Sequence, residues 1–460
     1  MGDGRVVLGL LLAAAALGPS LAQAAEDDWP MFRGDAARTG SPFDAASGGT
    51  GASKWKVALV NESESSPALA RSRVFIGSED GNLTALYASN GTKNWTYEVG
   101  VRVTSSPVVV ELPIPDSVRS SFRWAKDRTG DLVMVGDSAG VLHGVRAYDG
   151  VVWWTYHTTG EIAGGPAVMG ERVFVASRDG TVHALSAAVG DLLWARELGG
   201  EVLGSVVAAD GRVYVGSWDR SLYALDARTG AVDWSFDAGS RIYGSPAVAE
   251  GTVVVGTQAG RIVAVDAADG SEVWSYEADG LIVGAPALRA GRVFVGSLDE
   301  YLYALRLDNG DVLWKTRVKP TSSPAASGPA VFVGTVGAVV AVSAEAGAEL
   351  WRTTLAARFD SSPAVANGTL FIASSRIGLK QGADDHHVYA LDAGAPTADG
   401  DPELPTSPPD GTPTDPTDGT APGAGEDEGE GGGEEGGLPL PVGLLFVATV
   451  MAAALRRRRR

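Results

Sequence analysis

The sequence has no cysteine, only five histidines and only six asparagines among its 460 residues. The missing cysteine excludes disulfides, thiolate metal sites, a lipoprotein anchor and c-type haem attachment, so packing alone must hold the fold together. Basic residues are also short: 37 Lys and Arg stand against 56 Asp and Glu, for a net charge of −19. An acidic chain opposes nucleic-acid binding, which needs basic phosphate contacts, and suits solubility at high salt. Residues 395–437 hold twelve of the acids and no Lys or Arg, while residues 456–460 add five arginines, which leaves −12 on the rest. No helix-period segment is found between residues 55 and 394.

What is plentiful is glycine, 61 residues, and tryptophan, 12, in a chain that is 45% apolar. That composition points to ordered structure with many tight turns and many large packing anchors. At 460 residues the chain outgrows a single ordinary core and needs several domains or a repeat architecture.

The repeat is explicit. Trp55, Trp95, Trp154, Trp194, Trp234, Trp274, Trp314 and Trp351 recur at intervals of 40, 59, 40, 40, 40, 40 and 37, each four residues after a glycine. Eight small-residue starts such as Ser245-Pro246 recur with them. Inside one phrase, "SPAVA", "RVYVGS", "LYALD" and "AVDWSF" are strand-sized, alternate with period two and are separated by Asp/Gly turns. Four strands per phrase and eight phrases predict an all-β, eight-bladed β-propeller of four-stranded antiparallel blades over residues 51–394. The first strand, Gly51 to Trp55, lacks partners, and the segment from Ser361 to Asp392 lacks a Trp strand. Together they predict one blade shared between the two ends, which closes the ring and removes its free edges.

The pattern Ala224, Asp226, Thr229, Gly230, Trp234 resembles the repeat of pyrroloquinoline-quinone (PQQ) type propellers, a family that includes quinoprotein dehydrogenases and the outer-membrane assembly propeller. Looser copies are Ala264, Asp266, Gly270, Trp274 and Ala184, Gly190, Trp194, and residues 28–40 are similar to the family's lead-in segment. The resemblance implies that the eight tryptophans pack between blades. A WD40 reading is weaker, since Trp218-Asp219 occurs once and falls in a turn. The alcohol-oxidising members clamp PQQ against two adjacent cysteines and carry calcium ligands and long insertions. This chain has no cysteine and five bare forty-residue blades, so no cofactor is expected; PQQ with calcium belongs to the alternative, an oxidoreductase.

Five features remain to be weighed for function. One equivalent position at the blade junctions holds Glu62, Arg102, Glu161, Glu201, Arg241, Leu281, Lys319 and Arg358. In a propeller this junction leads into the innermost strand, so these side chains should rim one mouth of the central channel as an uneven charged ring, which suits a binding face. Residues 111–130 insert into the second blade with Phe122, Arg123 and Trp124 clustered, a candidate partner contact. Asp384, Asp385, His386 and His387 are metal-ligand types, but adjacent strand-edge residues point apart, so this is read as a solvated loop and no metal site is assigned. His143 and His183 take the tyrosine slot of "LYAL" as framework. Asn61, Asn82, Asn90, Asn94 and Asn367 all stand in N-x-S/T sequons, which suggests glycosylation of an exterior protein.

Both ends read as addresses. Residues 1–24 form a signal peptide, with Arg5, an apolar run and the A-x-A site Ala22 to Ala24, and residues 25–50 lead into the propeller. Residues 395–437 form an acidic Pro/Gly-rich linker with a reach of about 130 Å. Residues 438–455 carry no charge and span roughly 27 Å as a helix; the arginines at 456–460 would stay in the cytoplasm. The tail also resembles the C-terminal sorting signals of prokaryotic surface proteins, in which a membrane protease removes the helix. The expected protein is thus an exported, surface-tethered, non-catalytic binding or assembly scaffold. It would meet an unknown protein or surface ligand and hold to the membrane through its C-terminal helix.

Overall fold

Each forty-residue phrase folds into one blade. In the first, β2 (Ala68–Ala70), β3 (Arg73–Gly77), β4 (Asn82–Tyr87) and β5 (Lys93–Glu98) pair in that order, all antiparallel. The computed structural model describes residues 49–112, 130–375 and 386–394. Among them there is no helix, and 32 strands form eight four-stranded sheets. The innermost strand of each sheet neighbours that of the next, and the first neighbours the last, so the sheets stand round a central channel as the eight-bladed propeller that the repeat predicts.

Ring closure follows the split-blade expectation. β1 (Ser53–Ala58) pairs with β32 (His387–Asp392), which continues through β31 (Thr369–Ala373) to the innermost β30 (Ala364–Ala366). Thr50 adds hydrogen bonds from its N–H and hydroxyl to the Asp392 carboxylate. The eighth blade therefore joins chain segments more than three hundred residues apart, and no sheet edge is left unmatched at the seam.

The tryptophans explain the repeat. Each indole lies between its own blade and the next, against the glycine that opens the next outermost strand: Trp194 on Gly230, Trp234 on Gly270, and round to Trp351 on Gly51. At Gly270 a Cβ would sit 2.6 Å from the Trp234 ring, and φ is +76°, so glycine is required on both counts. The indole N–H then donates to a turn carbonyl of the next blade, as from Trp234 to Ala267 at 3.1 Å and from Trp274 to Leu307 at 2.7 Å. The packing role implied for the eight tryptophans is what the structure contains. Hydrophobic clusters accordingly combine facing sides of adjacent blades, such as Tyr214, Leu222 and Trp234 with Val253 and Val263.

The histidines in the tyrosine slot are also framework. His143 Nε2 is 2.9 Å from the Asp137 carboxylate and its Nδ1 is 3.1 Å from the Tyr97 hydroxyl. In later blades Tyr223 and Tyr303 donate from the same slot to Asp219 and Asp299, each at 2.6 Å.

The insertion with Phe122, Arg123 and Trp124, the pair Asp384 and Asp385, the lead-in before residue 49 and everything after residue 394 lie outside the described residues. Among the described residues no helix is long and apolar enough to cross a membrane.

Candidate functional site

Antiparallel blades place two kinds of connection on the mouth face: the crossovers between blades and the turns equivalent to β3–β4. The crossover residues form the predicted rim. The carbonyls of Glu62, Arg102, Glu161, Glu201, Arg241, Leu281 and Arg358 each accept a hydrogen bond from an N–H in the adjacent turn, between 2.7 and 3.0 Å. This pins the position equivalently in seven blades. Lys319 departs from the scheme, because the turn in its blade closes from Thr335 N–H to Ala338, one residue shorter than its counterpart from Ser217 to Ser221.

Those hydrogen bonds create two further rings. The turn residues that donate include Glu79, Ser138, Arg178, Trp218, Gln258 and Leu298, so they stand just outside the rim. Two residues beyond each rim position, Glu64, Thr104, Leu203, Tyr243, Val283 and Asp360 line the channel itself. Below them lies a belt in which the N–H of five blades donates to a serine hydroxyl of the next, as from Ser205 to Ser245 at 2.8 Å and from Ser362 to Ser66 at 2.9 Å, while Gly165 and Ala285 stand at the same position without a hydroxyl. Glycines assist: a Cβ on Gly204 would lie 2.8 Å from the Gly244 carbonyl oxygen. The cavity that remains is about 190 Å³.

The rim charges largely answer one another. A chain of ion pairs runs from Glu79 through Arg102 (3.7 Å), Glu161 (3.8 Å) and Arg178 (3.2 Å) to Glu201 (3.0 Å). Lys319 reaches Glu300 at 3.1 Å, and Arg358 binds Asp360 at 2.7 Å with only 13% of its side chain exposed. Such partly exposed pairs each contribute about 0–1 kcal/mol, so they shape the surface more than they lock it. Arg241 instead lies over the Trp218 ring, 5.2 Å from its centroid, and Trp218 meets Tyr243 edge-on at 4.9 Å.

The result is a face with two unlike sides. The first and last blades bring Glu62, Glu64, Glu79 and Asp360 together. Burial, reinforced by Glu79, Asp360 and Glu62 and opposed by Arg102, pushes the Glu64 carboxyl up to about 8; burial raises Glu79 as well. The fourth to sixth blades instead present Leu203, Trp218, Tyr243, Leu281, Val283 and Leu298. Thr104 Oγ1, Trp218 Nε1 and Tyr243 Oη are buried at this mouth and make no hydrogen bond within the protein.

Sequence reasoning found the rim and missed the other two rings. The same column-by-column comparison would have exposed them, since these positions also vary while the framework between them repeats. Trp218 was legible as a turn residue, not as part of a site. Of the sequons, Asn82 uses its amide nitrogen on Asp80 at 2.6 Å and Asn94 uses its own on the Tyr87 hydroxyl at 3.1 Å. Asn90 and Asn367 are exposed in turns, while Asn61 is half-buried beside Glu62, whose N–H its side-chain oxygen accepts. Among the described residues no group of three His, Asp or Glu side chains is placed to hold a metal ion.

The comparisons with known proteins agree with this architecture. The family model described as outer membrane protein assembly factor BamB matches residues 42–161, 152–243, 237–324 and 299–398. No curated protein matches the chain by sequence. Among solved structures, BamB from Moraxella catarrhalis aligns with a TM-score of 0.59 at 18% identity, over 74% of this chain and 99% of that one. The quinohemoprotein alcohol dehydrogenase from Comamonas testosteroni aligns at 0.64 and 16%, over 83% of each chain. The computationally designed Ika8 protein aligns at 0.59 and 17%, over 75% of this chain and all of that one. At these identities the likeness to the solved structures is one of fold. The family matches run through every blade, and the chain belongs to the BamB-like family of PQQ-type repeat propellers.

Proposed function

We propose that this protein is an exported, surface-tethered scaffold that holds a partner against the channel mouth and carries out no chemistry there. The observation that carries the reading is the division of labour among the eight repeats. Trp, Gly and the turn carbonyl that receives the indole N–H recur round the ring, while the three mouth rings change from blade to blade in charge, size and polarity. Framework demands alone do not produce such variation at the three rings that meet at one mouth. The signal-peptide-like sequence at 1–24 and the apolar segment at 438–455 favour export and tethering, and the family's description as an assembly factor supports a partner-holding role.

The oxidoreductase alternative meets a chemical obstacle. PQQ is a flat tricarboxylate, and the charged side chains lining the cavity are the carboxyls Glu64 and Asp360, with Glu62 and Glu79 above them. The lining holds no Lys or Arg to pair with a polyanion, and no described cluster could bridge it with calcium. The residues do not fit the group.

Two experiments test the reading. Arg241→Glu combined with Lys319→Glu reverses two charges at the mouth and leaves the inter-blade indoles untouched. Partner capture from the cell surface should change while thermal stability holds; unchanged capture by the double variant would refute mouth docking. Addition of PQQ and Ca²⁺ should give neither a bound chromophore nor a higher melting temperature, whereas both together would establish the alternative.

A further inference from the structure

The two unlike sides of the mouth specify what kind of partner surface fits it. Resting on the docking reading above, we infer that the mouth receives a lysine or arginine side chain of a partner polypeptide, flanked in that partner by apolar or aromatic residues. In an eight-membered ring the first blade faces the fifth, so the carboxyl wall of Glu62, Glu64, Glu79 and Asp360 stands across the channel from the arc around Tyr243. The cavity between them, about 190 Å³, is open to the mouth and has room for a single long side chain.

A metal ion is a poor occupant, because the described carboxyls do not converge as ligands. An anion is opposed by the wall. A free amine would satisfy the wall alone, yet the apolar surface continues beyond the cavity: Leu203, Tyr243 and Val283 line it, whereas Trp218, Leu281 and Leu298 stand outside it. An occupant that uses both must extend from the channel across the fourth to sixth blades, as a polypeptide does. Along that path Tyr243 meets Trp218 edge-on at 4.9 Å and so continues the apolar surface from the cavity to the turn outside the rim.

The charge balance sets a pH signature. Glu64 faces Glu62, Glu79 and Asp360 on the acidic side, with Arg102 opposing them and Arg358 already committed to Asp360. A guest cation favours the ionised Glu64, whereas burial and the neighbouring carboxyls keep it protonated below about 8. Affinity therefore rises with pH by up to about tenfold per unit as pH approaches that value and levels off above it.

The test uses the purified full chain and a fluorescein-labelled peptide, Gly-Leu-Phe-Lys-Leu-Phe-Gly, read by anisotropy. One control replaces its lysine by norleucine, and a second replaces its Leu and Phe by Ser. The parent should bind at least about tenfold more tightly than either control, and its advantage over norleucine should grow between pH 6 and 8. Glu64→Gln should remove the lysine advantage and its pH dependence, with Asp360→Asn as a second variant that reduces it; Trp218→Ala should weaken parent and norleucine peptides alike. Circular dichroism checks that each variant is folded. Equal binding of parent and norleucine peptides, lysine preference unchanged in Glu64→Gln, or no binding of the parent at about 1 mM would overturn the inference. If the peptide fails while Arg241→Glu with Lys319→Glu still alters capture of the native partner, the docking reading stands and this inference alone falls.

Discussion

Replacing Trp234 by alanine probes the inter-blade joint directly. The Trp234 indole is 9% exposed, lies against Gly270, meets the Tyr214 ring at 5.9 Å and donates to the Ala267 carbonyl at 3.1 Å. Truncation of a buried Trp removes its transfer free energy and leaves a cavity, for about 3–5 kcal/mol. The lost hydrogen bond accounts for roughly 1 kcal/mol within or beyond that range, so a total of about 4–5 kcal/mol is expected. Trp234→Phe keeps most of the apolar surface and loses the donor, and should cost about 1–2 kcal/mol. Gly270→Ala drives a methyl into the same indole from a φ of +76° and should cost about 2–3 kcal/mol on its own. The double variant Trp234→Ala with Gly270→Ala relieves that collision, so the two costs should fall short of additive by at least about 1 kcal/mol. Guanidinium unfolding followed by fluorescence and circular dichroism measures all four. A Trp234→Ala cost below about 1 kcal/mol, or strict additivity in the cycle, would refute the claim that these two residues form one joint.

Two further expectations follow from closure and burial. Removing residues 51–60 deprives β32 of its outer partner and exposes a sheet edge; the product should aggregate or lose cooperative melting, and unchanged melting would contradict the shared eighth blade. Glu64 holds its proton to about 8 in the folded protein but releases it near 4.5 when unfolded, so its contribution to stability is greatest below 4.5 and is lost as pH rises to 8. Glu64→Gln should therefore be close to neutral at pH 4 and stabilise by as much as roughly 4 kcal/mol at pH 9; an unfolding difference that does not change with pH would contradict the burial of that carboxyl.

The architecture was legible because eight copies impose one geometry. A Gly four residues before a Trp carries little meaning once, but repeated eight times it marks a joint, and the unmatched Gly51–Trp55 strand identified its partners at the far end of the chain. The candidate site was legible only where it shares that periodicity. Glu62 and Arg241 could be placed on the rim by counting from the small-Pro start. Glu79 and Trp218 arrive at the same mouth from hairpin turns seventeen residues after the crossovers of their own blades, at Glu62 and Glu201, and their proximity depends on the hydrogen bond from turn to crossover. The opposition of a carboxyl wall to an apolar arc depends in turn on the ring being closed at eight, because only then do the first and fifth blades face each other across the channel. The rim's charge pattern suggested an uneven charged ring suited to binding; in the folded protein Arg102 and Arg178 are drawn into ion pairs with Glu79, Glu161 and Glu201, which leaves the chemical asymmetry to the inner ring.

The claim that the partner docks at the channel mouth is tested most directly by site-specific photo-crosslinking in the cells that make the protein. A benzophenone amino acid at position 258 or 283 reports from the mouth, and one at position 193 or 273 reports from the outermost strands, where Leu193 and Val273 are 47% and 48% exposed. Mouth docking predicts a discrete crosslinked species from 258 and 283 that is absent from 193 and 273. Crosslinking confined to the outer strands, with none at the mouth, would contradict it.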